Sequence, residues 1–321
     1  MNPARGATHK RGWLRIILGV AWLGVAAWSW LTRGETLLAG HPAQAVALVI
    51  AALVGLLLVI WGARGPRAQG PRDRRRWLRV TGAVLGVLVS VTLLSALVFL
   101  RPFSATPDAI DAMSGSVEVK VADSATRITL SPGGDGESPT SVGMVFQPGA
   151  RVDPRAYVPL LSEIAATGHL VVIIKQPFNI GFTAINAPSE IIEDHPEIAH
   201  WALAGHSLGG VAGSSYAADT QGQVDAVLFW ASYPLGSLAD SDLAVTSISG
   251  SNDGLSTPAD IEESRKNLPP DTTFVQVDGA VHAFFGDYGP QAGDGEPAVS
   301  RASAQRQIVE ASITALAALT P

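Results

Sequence analysis

Ser207 lies between Gly205 and Gly209 in "LAGHSLGG" (203–210), after an apolar run and before a small-residue stretch. A serine hydroxyl is a poor nucleophile at neutral pH. It gains reactivity from an adjacent base and from projection into a cleft. A sharp strand-to-helix turn supplies the projection, and glycines two positions before and after let the chain reverse without Cβ clashes. The N-terminus of the following helix also favours developing negative charge. In a chain with 33 glycines the spacing alone is weak, so the remaining residues must supply a base and an acid.

With a serine on such a turn, the acid and then the histidine follow in the chain. Five histidines lie beyond the apolar first third: His169, His195, His200, His206 and His282. Only His282, in "VDGAVHAFFGDYG", follows Ser207, and it is the expected base. His206, next to Ser207 on a tight turn, points away from it and is expected to line the cleft or be buried. His169, His195 and His200 precede strands and are expected at the opposite edge as surface or capping residues. Asp253, in the Gly-flanked turn "SGSNDGLST", is the expected acid, with Asp240 and Asp242 as fallbacks. Acyl transfer also needs donors for the oxyanion. The backbone N–H groups of Leu208 and Ala150 are the candidates, with Gly149 allowing close backbone approach. Tyr157, Phe178, Asn179, Phe182 and Phe285 are candidate pocket walls, although aromatics dominate ordinary cores as well.

These residues need a scaffold, and the hydrophobic pattern indicates one. "VEVKVA" and "TRITLS" alternate apolar and polar residues and read as a strand hairpin. "SVGMVFQPGA" and "HLVVIIKQP" read as strands buried on both faces. Between them, "DPRAYVPLLSEIAATG" has Asp153 as N-cap, Pro154 at the first helical position and Gly168 as a stop. The alternation continues through "APSEIIEDHPEI" (helix), "HWALAGHS" (strand), "LGGVAGSSYAAD" (helix) and "VDAVLFWASYP" (strand). It ends with "LAVTSISGSNDG" (strand), "TPADIEESRKNLP" (helix), "TTFVQVDGAVH" (strand) and a final helix over "SRASAQRQIVEASITALAALT". Alternating βα units of this length predict a mostly parallel, doubly wound α/β sheet. Only about ten residues separate "VLFWASYP" from "LAVTSISG", too few for a large lid.

The first hundred residues differ in kind. Of the 321 residues 47% are hydrophobic and only 16% charged, against ~25% charged in ordinary soluble domains. Apolar runs at about 13–31, 43–61 and 77–100 each reach the ~20 residues that cross a bilayer core as a helix. Trp13, Trp30, Trp61 and Trp77 mark run ends, as an aromatic belt does. Arg5, Lys10 and Arg11 precede the first run, and Arg64, Arg67, Arg72, Arg74, Arg75 and Arg76 fill the second loop. Positive segments stay cytoplasmic, so the expected threading puts the C-terminal part outside the cell membrane. A cleaved signal peptide fits the first run poorly, because "AAWSWLTRG" is a weak cleavage site and two more spans follow. Gly82 and Gly86 form a GxxxG that can mark a helix-packing face. The chain therefore divides into a membrane region (1–101), a linker (102–115) and an enzyme-like domain (116–321). After Arg101 there remain 9 Lys and Arg against 26 Asp and Glu, a formal charge near −17. That argues against nucleic acid and anionic membrane surfaces as partners. With no cysteine, disulfides and thiolate metal sites are excluded.

In order on alternating β and α elements, "GHSLGG", "SGSNDGLST" and "GAVHAFFGDYG" resemble the α/β-hydrolase superfamily. The closer resemblance is to small, lid-less bacterial serine hydrolases related to dienelactone hydrolase, through "PGARVDPRAY", "VVIIKQPFN" and "HAFFGDYGPQAGDG". It covers about Val142 to the C-terminus and leaves out the membrane runs. Dienelactone hydrolase itself has a cysteine nucleophile where this chain has Ser207, so its lactone chemistry is not implied. The resemblance implies an α/β-hydrolase fold and hydrolysis of a small-molecule or lipid-like ester through an acyl-enzyme, without metal or organic cofactor. Envelope lipids, acylated glycans and exogenous esters suit a membrane location. An acyltransferase with the same three residues, or a non-catalytic hydrolase-fold sensor, are the alternatives. The substrate and oligomeric state are not set by the sequence.

Overall fold

The computed structural model describes residues 12–64, 76–133, 140–220 and 222–319. Most of the basic segments behind the expected threading lie outside these residues, as does most of the turn between the second and third strands. The chain forms two compact units, Met1–Leu37 with Ala43–Arg101, and Leu38–Pro42 with Pro102–Pro321.

The first unit contains α1 (Trp13–Ala39), α2 (Pro42–Arg64) and α3 (Arg76–Phe99). All three are long and apolar enough to cross a membrane. α1 runs past the expected end near residue 31, because "TRGETLLA" continues the helix beyond a non-helical residue, Arg33. The pairing of α1 with α2 rests on missing side chains. A Cβ on Gly19 would sit 2.6 Å from the Gly55 carbonyl oxygen, and one on Gly55 2.8 Å from that of Gly19. Such small-residue contacts let helix backbones approach closely in lipid. Trp22, Ala26 and Ala51 are buried, with Leu94 and Leu97 of α3 packed against them. A Cβ added at Gly82 or Gly86 would meet nothing within 4 Å among the described residues, so the GxxxG of α3 is not a packing face within them.

Residues 102–115, expected to be a linker, are folded. Thr106 caps α4 (Pro107–Asp111), a 3-10 turn follows at Ala112–Ser114, and Ala105 and Ala109 are buried in the core. Phe103 and Ala105 make isolated bridges to Val152 and Tyr288. Small apolar residues among the prolines give the segment something to bury.

The sheet has eight strands: β1 (Val119–Asp123), β2 (Arg127–Pro132), β3 (Val142–Gln147), β4 (Leu170–Ile174), β5 (His200–His206), β6 (Ala226–Trp230), β7 (Ala244–Gly250) and β8 (Thr273–Val277). Their order is β1-β2-β4-β3-β5-β6-β7-β8. The hairpin β1–β2 is antiparallel and joins β4 antiparallel; every other pairing is parallel. The helices are α5 (Val158–Ala165), α6 (Ala187–Asp194), α7 (Leu208–Asp219), α8 (Pro258–Ser264) and α9 (Arg301–Ala317). β4 shows how the layers form. Val171 and Ile173 enter one core, with Leu160 and Ile164 of α5 and Ile308 of α9. Leu170, Val172 and Ile174 enter the other, with Ile191 of α6 and Tyr216 of α7. Alternate residues of one apolar strand thus feed both faces of the sheet.

The strand order reverses around β3, which lies between β4 and β5. In open α/β sheets ligands bind at the carboxyl ends of the strands at such a switch point. Gln147 ends β3 there, in register with Gly205 of β5. Ile173→Ala, which empties a fully buried position, is expected to cost ~2–5 kcal/mol. The check is the thermal midpoint of the detergent-solubilised chain; an unchanged midpoint would contradict this packing.

Candidate active site

Ser207 occupies the turn between β5 and α7 at φ 52° and ψ −126°. L residues rarely adopt this conformation, and such strain costs about 1–3 kcal/mol. The surroundings hold it there. The Ser207 N–H donates to the Trp230 carbonyl, and the Ser207 carbonyl accepts from Gly210 N–H and from Ser232 Oγ at 2.6 Å. The two flanking glycines are required by contact. A Cβ on Gly205 would collide with Gly209 and Gly210, and one on Gly209 with the carbonyl oxygens of Gln147 and Pro148. The Gly205–Gly209 turn is thus pressed against the end of β3.

His282 and Asp253, far apart in the chain, meet beside this turn. His282 opens a 3-10 turn (His282–Phe285) after β8, and Asp253 lies in the turn after β7. Both are buried, and His282 Nδ1 is 2.8 Å from Asp253 Oδ2. The other oxygen of Asp253 accepts the N–H groups of Leu255 and Ser256, each at 2.8 Å. A carboxylate held this way accepts from Nδ1–H and leaves a lone pair on Nε2. That atom is buried and has no hydrogen-bond partner among the described residues. No hydrogen bond joins it to Ser207 among them.

His206 lies against His282, with ring centroids 4.6 Å apart, and stacks on Phe285 at 5.9 Å. Burial, reinforced by the charge His282 can carry, holds its pKa well below the ordinary histidine value. The Tyr157 hydroxyl accepts from Gly149 N–H at 2.9 Å and lies 2.8 Å from His206 Nδ1. The direction of the Tyr157–His206 hydrogen bond follows the His206 tautomer, and burial pushes the Tyr157 pKa upward, which keeps the hydroxyl neutral. His206 is therefore a neutral ring bolted to the loop after β3. Tyr157 as a hydrogen-bonded tie was not legible in the sequence, where it is one more aromatic residue.

The remaining candidates fall around the same edge. The N–H groups of Ala150 and Leu208 donate to nothing among the described residues. Gly149 does not share this, since Tyr157 takes its N–H. Phe178 and Asn179 have φ of 56° and 52°, and the Asn179 carbonyl accepts the Arg151 N–H, lacing two loops together. Asn179, Tyr157 and Phe285 are buried, whereas Phe182 is exposed. Asp240 and Asp242 line a separate cavity of about 470 Å³ with Asp225, at the amino ends of β6 and β7, and do not approach His282. His169 is buried rather than on the surface, with Nδ1 2.8 Å from Thr140 Oγ1. The described residues contain no cluster of three or more side chains suited to a metal ion.

The His206 environment gives a signed pH dependence. Its folded pKa lies below the ~6.5 of an unfolded histidine, so below that value the unfolded chain binds the extra proton. Stability should fall as pH drops from 7 toward 5, by at most ~1.4 kcal/mol per pH unit from this group. His206→Gln should flatten that fall in thermal midpoints; an unchanged slope would contradict the assignment.

Comparison with known proteins fits this architecture. Residues 143–307 match the model of a family described as "Alpha/beta hydrolase family". No curated protein sequence matches. Similar solved structures include a protein provisionally described as a dienelactone hydrolase from Klebsiella pneumoniae, at 17% identity and TM-score 0.47, covering 62% of this chain and 98% of that one. A monoacylglycerol lipase from Paleococcus ferrophilus aligns at 15% identity and TM-score 0.45, covering 61% and 99%. An alpha-beta serine hydrolase homologue from Coxiella burnetii aligns at 15% identity and TM-score 0.42, covering 63% and 97%. The family match spans half of the sequence, and the chain belongs to the alpha/beta hydrolase family, a membership that supports hydrolase activity.

Proposed function

We propose that the protein is a membrane-anchored serine hydrolase that cleaves an ester-type bond through Ser207, His282 and Asp253. The observation that carries this reading is the buried 2.8 Å contact of His282 Nδ1 with Asp253 Oδ2 beside the strained Ser207 turn. His282 Nε2 takes the proton of Ser207 Oγ as that oxygen attacks the substrate carbonyl. The oxyanion of the tetrahedral intermediate accepts from the N–H groups of Leu208 and Ala150. Collapse breaks the bond to the leaving alkoxide, which receives the proton from His282. Water, deprotonated by the same nitrogen, then attacks the acyl-enzyme and releases the acid and Ser207. Asp253 orients the imidazole and stabilises imidazolium without itself taking the proton. A neutral His206 beside it adds no competing positive charge.

The three apolar helices support anchoring, and the arginines from Arg64 to Arg76 support a cytoplasmic second loop, with the hydrolase domain outside. External protease should then digest the domain in spheroplasts. Protection until lysis would overturn that topology.

An activated fluorophosphonate should label the full chain in detergent micelles. Ser207→Ala and His282→Ala should abolish labelling, and Asp253→Asn should slow ester turnover by about 10⁴-fold. A labelled Ser207→Ala variant, or an unlabelled folded wild type, would contradict the reading.

A further inference from the structure

Neither His282 nor Asp253 lies on a regular strand or an α-helix; each lies in a turn beyond the end of a strand. Their 2.8 Å contact therefore depends on how two separate turns are held together. Between Phe285 and α9 the chain makes a long excursion, "GDYGPQAGDGEPAVS", with Asp294 near its middle. The Asp294 carboxylate reaches both turns. Oδ1 accepts from His282 N–H at 3.0 Å, from Gly254 N–H at 3.3 Å and from Gly295 N–H at 2.9 Å. Oδ2 accepts from Ala283 N–H at 2.8 Å.

The residues around Asp294 are shaped for this contact. Gly293 has φ +91°, which favours glycine. A Cβ on Gly254 would lie 2.5 Å from the Gly293 carbonyl oxygen, and one on Gly295 would strike the Asn252 carbonyl. Asn252 Nδ2 donates to the Glu296 carbonyl at 2.8 Å. The excursion thus lies backbone to backbone on the Asp253 turn, while its carboxylate binds the first two amides of the His282 turn. Hydrogen bonds to an ionised acceptor are roughly twice as strong as neutral ones.

We infer that Asp294 is a positioning residue for the reaction, a carboxylate that clamps the His282 turn to the Asp253 turn and so sets the imidazole's orientation toward Ser207. This rests on the proposed Ser207–His282–Asp253 reading. Asp294 touches neither substrate nor the reacting atoms; it acts through the main chain of His282, Ala283 and Gly254. Both its oxygens must be acceptors. Asp294→Asn keeps one acceptor oxygen, but turns an N–H₂ toward an amide N–H and breaks one arm of the clamp.

The test uses the full chain in detergent micelles and two readouts. The first is the second-order rate of fluorophosphonate labelling, with kcat and KM on an activated ester. Misplacement by about an ångström costs up to ~10²-fold, so Asp294→Asn should label about 10- to 100-fold more slowly, with kcat falling and KM little changed. Asp294→Glu, which keeps both acceptor oxygens, should recover part of the rate. His169→Ala, a buried substitution at the far edge of the sheet, serves as a destabilised control and should label at the wild-type rate. The second readout is the downfield proton resonance of the His282 Nδ1–Asp253 hydrogen bond, which needs no nucleophile. Asp294→Asn should move or broaden it. Wild-type labelling rates and an unmoved resonance in a folded Asp294→Asn chain would overturn the inference. An unlabelled wild type whose resonance still responds to Asp294→Asn would instead refute the serine-hydrolase reading and leave the clamp standing.

Discussion

The strained turn at Ser207 is the constraint on which the carboxyl edge depends. A non-glycine residue at φ 52° and ψ −126° persists only when its neighbours over-determine it. Here the carbonyl of Ser207 is held by α7 and by Ser232, and its N–H by the end of β6. Gly205 and Gly209 let the turn press onto the end of β3. Relaxing the turn would lift it from the Gln147 and Pro148 carbonyls.

The other half of the edge adds polar ties to packed apolar side chains. Tyr157 fastens the loop after β3 to His206, and Asp294 fastens the His282 turn to the Asp253 turn. His206 is the hinge between them, since its ring lies against both Phe285 and His282. Its depressed pKa has a consequence for charge. Two imidazoles with centroids 4.6 Å apart do not share positive charge readily, and burial keeps His206 neutral. His282, also buried, faces the carboxylate of Asp253.

Much of this was legible in the sequence because it is periodic or ordered. Apolar strands alternating with helices implied the doubly wound sheet, and runs of about twenty apolar residues implied α1 to α3. G-x-S-x-G marked the turn, chain order pointed to His282, and a Gly-flanked turn after a strand pointed to Asp253, with Asp240 and Asp242 as fallbacks. What escaped was carried by residues with no periodicity. Residues 102–115 looked like a linker because prolines and small residues suggest one, yet Ala105 and Ala109 are buried. His169, expected at the opposite edge as a surface or capping residue, is buried there against Thr140. Tyr157 and Asp294 make hydrogen bonds that span 49 and 40 residues, to His206 and Gly254. No local pattern reports such contacts. Gly82 and Gly86 show the opposite failure, a motif present without the contact it often marks.

The proposed mechanism requires that Ser207 become acylated. Intact-protein mass spectrometry of the full chain, quenched in acid within its first turnovers of p-nitrophenyl acetate and followed by peptide mapping, detects that step. A mass increase of one acetyl group is expected on Ser207, decaying as acetate is released. Steady hydrolysis with no adduct, or an adduct on another residue, would contradict it.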